Sequence, residues 1–536
     1  MQRKLTMQLN EDMANAESIA IDTNENLKIN IKNDKKDSCN IDKLHNLLNI
    51  VGTENTYQKN FLINSSIFSF FLPFLTCILP FIFYQPDFFC NERNGNIYKC
   101  NENQACENAF GYSTVFNIHS FVEKYNLYCE RSYLAILGKT AIFILASFFA
   151  TISVLVSDYI GRLKAYYLQF MLLLSGNILC VFSVDYELRI LGLSFLFSVS
   201  FAYYSLTFIY GYEITGNLNG GRLQKIFNNI IFLTFALGEI AFYPVSLLMN
   251  NYQIFLVVES VVLLIAAISF LTIYESPAYL YNKERYTELK KVLIGISNIN
   301  FKDDQHLLVL KKTQIDEIIE DLSDKQSKKE KNKFDKTVRS DTAFDPFISK
   351  QKIIMQIIFY IIIISNLCVL EGILTLIPQE MGIDNIYLNG VLLSIIDFVS
   401  YISLVFLVHK IKRRKYNKII NSLIILVGIT GLITYMFGVR ELLIGKTIET
   451  INSLIGKLLM CMSFVYVFSY GTEIFDIRFR GIALGLSIFI GRIAMSSGAI
   501  LIDVTQRFNI HPIVGTLSTS IFAFLSSFYL PETLKK

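Results

Sequence analysis

The chain alternates between long apolar runs and shorter polar stretches. A single helix needs about 20 apolar residues to cross a bilayer core, and about twelve runs of that length recur along the 536 residues. This pattern predicts an all-α membrane protein with twelve transmembrane helices, at about 61–84, 132–156, 165–184, 188–211, 226–248, 253–274, 352–376, 387–408, 416–437, 449–471, 482–502 and 511–530.

The polar stretches divide these runs into two groups of six. A basic run at 409–415 follows the eighth apolar run, and short basic loops lie on the cytoplasmic side of a membrane. Because the number of spans is even, we expect both termini in the cytoplasm. The predicted divisions are a cytoplasmic tail at 1–60, a first transmembrane helix at 61–84, an extracellular cysteine loop at 85–131, helices two to six at 132–274, a cytoplasmic central loop at 275–350, a C-terminal six-helix half at 351–530 and a cytoplasmic tail at 531–536.

The central loop repeats apolar residues at helical spacing. One set is Leu289, Val292, Leu293 and Ile296, and a second set begins at Ile315 and ends at Leu322. Apolar residues three and four positions apart lie on one face of a helix. The loop is therefore predicted to contain short amphipathic helices.

Four of the nine cysteines lie together in the first loop, at Cys90, Cys100, Cys106 and Cys129. Their spacings contain no close pair of the kind that zinc sites use. An extracellular loop lies in an oxidising compartment, where disulfides persist. The cluster predicts two disulfides, with the pairing left open.

Charged residues lie deep within several apolar runs, and three of them are candidates for the binding site. Arg492 is about twelve residues into its run, or roughly 18 Å at 1.5 Å per helical residue, near the middle of a core about 30 Å thick. An arginine there is costly unless it faces a partner or a wet cavity. It is either a substrate ligand or half of a structural ion pair. Asp397 and Glu239 lie at similar depth, and either can neutralise Arg492, while Asp397 can instead receive a cation.

Further charges lie where apolar runs end. Glu213 and Arg222 follow the fourth run, and Glu473 and Arg480 follow the tenth run about 260 residues later, which indicates two related six-helix halves. We expect Asp158, after the second run, to meet the positive N-terminal end of the eleventh helix. Arg162 and the Glu/Arg pairs are expected to bridge the halves. The predicted cytoplasmic gate is Asp158, Gly161, Arg162, Glu213, Arg222, Glu473 and Arg480.

Several short motifs resemble one transporter family. They are Gly52 and Gln58 before the first run, Asp158-x-x-Gly161-Arg162, Glu275-Ser276-Pro277, Ile386-Tyr387-Leu388-Asn389 with Asp397-Phe398, Gly456-Lys457, Glu473-Ile474-Phe475 with Arg480 and Arg492, and Leu530-Pro531-Glu532-Thr533. Together with the cysteine loop, they resemble the organic cation, organic anion and zwitterion transporters of the major facilitator superfamily. Val154, His409 and Lys412 depart from that family's glycine, aspartate and glycine, so the chain looks like a divergent member.

The resemblance implies a major facilitator fold and transport of small organic ions by alternating access. At the position of Arg492, the family has arginine in anion and zwitterion carriers and aspartate in many cation carriers. A guanidinium also offers a two-pronged hydrogen-bonding fork to a carboxylate, so an anion or zwitterion is favoured over a cation. The predicted substrate-binding residues are Arg492, Asp397, Glu239, Tyr360, Phe359 and Asn366.

Composition excludes several other classes of protein. With 52% hydrophobic residues the chain is not a soluble enzyme, and it has no Walker loop and no histidines at metal-ligand spacing. We therefore expect no catalysis, cofactor, metal or nucleic acid partner. The expected partners are a small organic ion, a coupling ion or counter-substrate, and the lipid bilayer, with the plasma membrane as the location. Two alternatives stay open: a porter of sugars or other neutral metabolites, and a solute sensor that does not transport.

Overall fold

Helices account for most of the structure, a computed structural model. It describes residues 44–529 except 92–95, 101, 108–110, 116–118, 216–221, 249–250, 334–350, 381–385, 408–410, 437–442, 476–479 and 508–512. Within these ranges, twelve apolar helices follow one another: α1 Thr56–Thr76, α2 Ser132–Ile160, α3 Arg162–Phe182, α4 Tyr186–Thr215, α5 Arg222–Ser246, α6 Tyr252–Ile268, α7 Gln351–Glu380, α8 Ile386–Leu407, α9 Arg413–Met436, α10 Leu443–Ile474, α11 Arg480–Arg507 and α12 Ile513–Ser526.

The lengths of these helices fit a membrane. Over the described residues, eight of them are long and apolar enough to span a bilayer, and α6, α7, α11 and α12 contribute shorter apolar stretches. The outward faces carry exposed isoleucine, leucine and phenylalanine side chains, as expected where lipid replaces water as the solvent. The prediction of an all-α fold with twelve membrane helices is confirmed.

The first six helices meet the last six along two seams. α2 packs against α4 of its own group and against α11 of the other, and α5 packs against α1 and α8. Thr151 of α2 donates a hydrogen bond to the carbonyl of Gly485 in α11 at 3.3 Å. At the second seam, the ring of Tyr243 in α5 occupies the space beside Gly390 of α8, where a Cβ atom would lie 2.0 Å from it. The two seams enclose the space between the helix groups.

The first helix differs from its predicted bounds. It begins at Thr56, within the predicted tail, and ends at Thr76, before a short helix at Leu79–Ile82. Pro80 lacks the N–H that would continue the helical hydrogen bonds to Thr76. The chain turns at this break, and Cys77 approaches Glu239 of α5, with 3.9 Å between its Sγ and Oε1.

The loop after α1 folds into a small disulfide-bonded sheet. Strands β1 Asp87–Asn91, β2 Ile97–Cys100 and β3 Tyr112–Val115 form an antiparallel sheet in the order β2-β1-β3. Disulfides join Cys90 to Cys100 and Cys106 to Cys129, so the predicted disulfide bonding is confirmed. The sheet itself was not predicted. In β1 every second side chain is buried, as is typical of a strand, so that Phe88 and Cys90 point inward.

The segment between α6 and α7 contains helices at Pro277–Asn282, Tyr286–Asn300 and Gln305–Lys333. The second buries Leu289, Leu293 and Ile296, and the third buries Ile315, Ile319 and Leu322. Ser276 caps the first helix, because its side chain accepts a hydrogen bond from the Tyr279 N–H. This segment packs against the ends of α1 and α4.

Candidate functional site

A cavity of about 320 Å³ lies between the two groups of six helices. Four helices from each group contribute to its wall, which places it at the centre of the helix bundle. Major facilitator transporters bind their substrates at such an interface between repeats. The solute cavity, as we call it, is lined by Thr76, Cys77, Leu79, Pro80, Phe143, Phe197, Ser200, Phe201, Tyr204, Phe232, Phe235, Glu239, Tyr243, Ile364, Cys368, Leu393, Ser394, Asp397, Tyr401, Lys457, Met460, Cys461, Phe464, Ile488, Arg492 and Met495.

Aromatic rings form much of this wall. Tyr204 of α4 stacks on Phe232 of α5 with ring centroids 5.2 Å apart, and Phe232 reaches across to Tyr401 of α8 at 5.6 Å. Such rings offer large apolar surfaces, and tyrosine adds a hydroxyl for hydrogen bonding. The sequence analysis did not assign Phe232 or Tyr401 to the site. Tyr204 and Phe232 are otherwise ordinary packing residues, and only their position beside the cavity marks them.

Arg492 lines the cavity from α11, as its predicted depth requires. Its guanidinium carbon lies 4.4 Å from the ring centroid of Phe201, and Nη1 lies 3.3 Å from the Met495 sulfur. No ion pair within 4.0 Å joins it to Asp397 or Glu239. The expectation that one of these carboxylates balances Arg492 is therefore wrong. An aromatic face attracts a cation but leaves the guanidinium donors available to another acceptor.

Asp397 has a different partner, Lys457 of α10. The Asp397 carboxylate lies 3.7 Å from the Lys457 ammonium and 2.7 Å from the Cys461 sulfur. All three side chains are buried, and α8 packs directly against α10. Lys457 is a site residue that the sequence analysis named only within the Gly456-Lys457 motif. The other charged residues in the described part of the wall are Arg492 and Glu239.

The three other predicted wall residues do not line the solute cavity. Tyr360 is fully buried and donates to the Val467 carbonyl at 3.2 Å. Phe359 stacks on Tyr529 at 4.3 Å, and Asn366 donates to its own helix at the Ile362 carbonyl. α7 instead presents Ile364 and Cys368. These lie one and two turns beyond Tyr360 on the same face, whereas Phe359 and Asn366 lie on another face.

A buried charge cluster lies at one end of the bundle, around Arg162 at the start of α3. Its guanidinium contacts Asp158 at 2.6 Å and Glu213 of α4 at 2.8 Å, and its side chain is 2% exposed. Glu213 also accepts a hydrogen bond from Ser276 at 2.5 Å. We call these four residues the Arg162 cluster. Since all the contacts lie within the first half and the segment after α6, Arg162 does not bridge the halves as predicted.

Glu275 holds the turn that precedes Arg162. It accepts hydrogen bonds from the N–H groups of Arg162 and Leu163, at 2.8 and 3.3 Å, although burial raises the pKa of its carboxyl. Gly161 has φ +110°, and a Cβ there would lie 2.2 Å from the Glu275 carboxylate. Only glycine allows both the backbone conformation and this close approach.

At this end of the bundle, Asp158 contacts the other half. Its carboxylate lies against the first turn of α11 and occupies the space where a Cβ of Gly481 would lie. The first turn of a helix carries partial positive charge, which favours a carboxylate at this place. The structure thus shows the expected contact between Asp158 and the eleventh helix. The side chains of Arg222, Glu473 and Arg480 lie outside the described residues.

Residues 103–533 match the family of sugar (and other) transporters. Solute carrier family 22 member 16 of Xenopus laevis is 22% identical over 444 residues, covering 80% of this chain and 71% of that protein. Organic cation transporter 1 of Caenorhabditis elegans is 21% identical over 438 residues, covering 80% and 69%. The fold is similar to that of the proton:xylose symporter XylE bound to 6-bromo-6-deoxy-D-glucose, with a TM-score of 0.60, 14% identity and coverage of 89% of this chain and 96% of that one.

These findings agree with the resemblance seen in the motifs. The family and the fold are those of membrane transporters and not of enzymes. The low identity to solute carrier 22 proteins fits a divergent member of that group. The chain therefore belongs to the sugar (and other) transporter family of the major facilitator superfamily, and its sequence is similar to those of organic ion transporters.

Proposed function

We propose that this protein carries small organic anions or zwitterions across the plasma membrane by alternating access. The observation that carries the proposal is the state of Arg492, which faces the solute cavity without an ion pair to Asp397 or Glu239. A solute carboxylate can occupy the guanidinium fork. The cost of an arginine at the middle of the membrane, at least about 2.5–3.5 kcal/mol, would then be offset in the loaded state.

The same cavity gives an organic cation a second candidate place. Glu239 lines it together with Tyr204, Phe235 and Tyr243, and aromatic faces beside a carboxylate attract cations. The name of the Caenorhabditis elegans relative, an organic cation transporter, is in line with this reading. A zwitterion with its carboxylate on Arg492 and its cationic group on Glu239 would use both charges.

We further propose that the Arg162 cluster, which reaches α11 through Asp158, forms the cytoplasmic gate. The basic run at 409–415 supports the assignment of this end, together with both termini, to the cytoplasmic side. The disulfide-bonded loop then lies outside, where disulfides persist. In alternating access, the contact between Asp158 and α11 must break so that solute can leave on this side. Gly161, Arg222, Glu473 and Arg480 are assigned to the same gate.

Uptake by proteoliposomes tests the function. The purified protein is reconstituted, and uptake of labelled organic anions, organic cations, carnitine-like zwitterions and hexoses is measured, with counterflow from solute-loaded vesicles. We expect saturable uptake and counterflow of an anion or zwitterion. Cation uptake alone would favour the Glu239 site, and hexose uptake would favour a sugar porter. Solute binding without counterflow would indicate a sensor.

Neutralising Asp158 tests the gate. Asp158→Asn keeps the side-chain shape but removes the charge that the α11 N-terminus attracts, an interaction of about 0.3–2 kcal/mol. We expect faster reaction of a cysteine introduced at Val154, which packs on Gly485 at this seam, with a membrane-impermeant thiol reagent. We also expect an altered exchange rate with solute affinity within about threefold.

Asp185→Asn is the matched control for this variant, because Asp185 is an exposed residue before α4. It should leave both the thiol reaction and the exchange rate unchanged. A large loss of affinity in Asp158→Asn, with a normal rate of thiol reaction, would show that Asp158 belongs to the solute site and not to a gate.

A further inference from the structure

A second cavity, of about 500 Å³, lies at the end of the bundle where α1 begins. Its walls are the first turns of α1, the chain around Thr272–Tyr274 after α6, and one face of the helix Tyr286–Asn300. None of its described lining residues also lines the solute cavity. This cavity therefore lies outside the proposed solute path through the centre of the bundle.

Hydrogen bonds hold its walls in place. The Tyr57 N–H donates to Asn300 at 2.8 Å, and the Tyr57 hydroxyl accepts from the Tyr274 N–H at 3.0 Å. Asn300 also donates to the Val51 carbonyl at 2.9 Å. The Tyr274 ring lies directly against Gly295, which brings the helix Tyr286–Asn300 close to the membrane helices. The cavity is thus built by contacts among three separate segments.

The chemistry of the cavity favours an anion. Its polar lining side chains include Asn60, Asn64 and Asn298, whose amides donate hydrogen bonds, and the ammonium of Lys302. Among the lining residues that the structure describes, Lys302 is the one with a formal charge, and none is an aspartate or glutamate. A phosphate would find both positive charge and hydrogen-bond donors here. A quaternary ammonium would find no carboxylate.

The cavity also continues onto apolar surfaces. Asn60, Ile63, Asn64 and Ile67 follow one another at positions i, i+3, i+4 and i+7, and therefore share one face of α1. Along this face, the polar residues line the cavity, while Ile63 and Ile67 are 55% and 48% exposed. On α6, Ile268 precedes Thr272 by one turn and is also exposed. A ligand with a polar head in the cavity can therefore lay an apolar chain along α1 and α6.

We propose that this cavity binds an anionic phospholipid. Lys302 and the amides of Asn60 and Asn298 hold the headgroup phosphate, and an acyl chain follows Ile63 and Ile67 into the bilayer. The position suits a lipid, because the polar lining residues at the start of α1 lie directly beside the apolar outward face of the same helix. A net negative headgroup is preferred over phosphatidylcholine, since the choline ammonium has no carboxylate partner in the lining.

Native mass spectrometry of the full-length protein tests this site. Delipidated protein in detergent is titrated with dioleoyl phosphatidylglycerol, dioleoyl phosphatidylcholine or glycerol 3-phosphate, and the bound fraction is measured. We expect tighter binding of phosphatidylglycerol than of phosphatidylcholine. Lys302→Glu should weaken phosphatidylglycerol binding about tenfold, the effect of losing one charge-assisted hydrogen bond. Asn298→Trp should weaken both lipids by filling the cavity.

Lys291→Glu is the matched control. Lys291 lies on the helix Tyr286–Asn300, which ends just before Lys302 in the chain, and is exposed, but it does not line the cavity, so the same charge change there should leave lipid binding unchanged. Elution on size exclusion reports folding of each variant. Equal binding of phosphatidylglycerol by the original protein, Lys302→Glu and Asn298→Trp would overturn the proposal. Binding of glycerol 3-phosphate without binding of the lipid would also overturn it, because the acyl chain would then play no part.

Discussion

Replacing Arg492 is expected to remove most of the affinity for a carboxylate solute. Arg492→Ala deletes the guanidinium, and hydrogen bonds to charged groups contribute about 1.5–3 kcal/mol each, which corresponds to roughly ten- to a hundredfold in binding constant. Arg492→Lys keeps the charge but loses the planar fork, so its affinity should lie between those of the original protein and the alanine variant. Solute binding to purified variants, by isothermal titration or competition, measures both changes.

The sign of the charge at position 492 should also determine whether the cavity prefers anionic or cationic solutes. Arg492→Asp places a carboxylate where the guanidinium lay beside Phe201, and it should shift uptake from anions toward cations. Ile493→Ala is the matched control, because Ile493 is on the same helix but on the outward surface. It should change affinity by less than about twofold. Normal expression of Arg492→Ala with unchanged solute affinity would show that Arg492 is not the ligand.

Removing Arg162 is expected to cost more stability than any surface charge does. Asp158 and Glu213 would then be buried with no guanidinium between them, and breaking one partner of a buried ion pair costs about 3–5 kcal/mol. We expect a clear fall in the apparent melting temperature. It is measured by size exclusion chromatography of samples heated to increasing temperatures. Arg162→Lys should be intermediate, because one ammonium cannot keep the two-pronged contact with Glu213 together with the contact to Asp158.

Two further variants separate this effect from a general loss of charge. Arg285→Ala removes an arginine from a pair in which Arg285 and Glu288 are 43% and 48% exposed, and such surface pairs contribute about 0–1 kcal/mol. The double variant Arg162→Ala with Glu213→Gln should recover part of the lost stability, because one of the two uncompensated carboxylates is also removed. Equal melting temperatures for Arg162→Ala and Arg285→Ala would contradict the structural role of the Arg162 cluster.

Several features follow from the sequence alone, because a bilayer imposes a length on every span. About 20 apolar residues are needed to cross it, so run lengths were enough to predict the helices. The helix boundaries in the structure differ from the predicted ones where local chemistry acts. Pro80, for example, makes α1 end earlier than predicted. The depth of Arg492 followed from counting residues along a helix of known rise. The cluster of four cysteines likewise predicted disulfides, since their loop has no metal-ligand spacing.

Which side chains meet was decided only by the tertiary structure. A helical pattern shows which residues share a face, but not which neighbouring helix that face contacts. From the sequence, Asp397 was therefore a possible partner of Arg492. In the structure, α8 packs on α10, and Asp397 pairs with Lys457. Tyr360 has the right face but lies a turn away from the cavity, and its hydroxyl is taken by Val467.

The disulfide pairs and the partners of Arg162 likewise depend on which segments the fold brings together. The pairing of Cys90 with Cys100 follows from two adjacent antiparallel strands, which a polar loop sequence does not specify. Asp158 could be assigned to the α11 terminus in advance, because a helix end attracts a carboxylate whatever surrounds it. Arg162 could not be assigned its partners, because a long side chain between several carboxylates joins whichever ones the fold brings within reach, here Asp158 and Glu213.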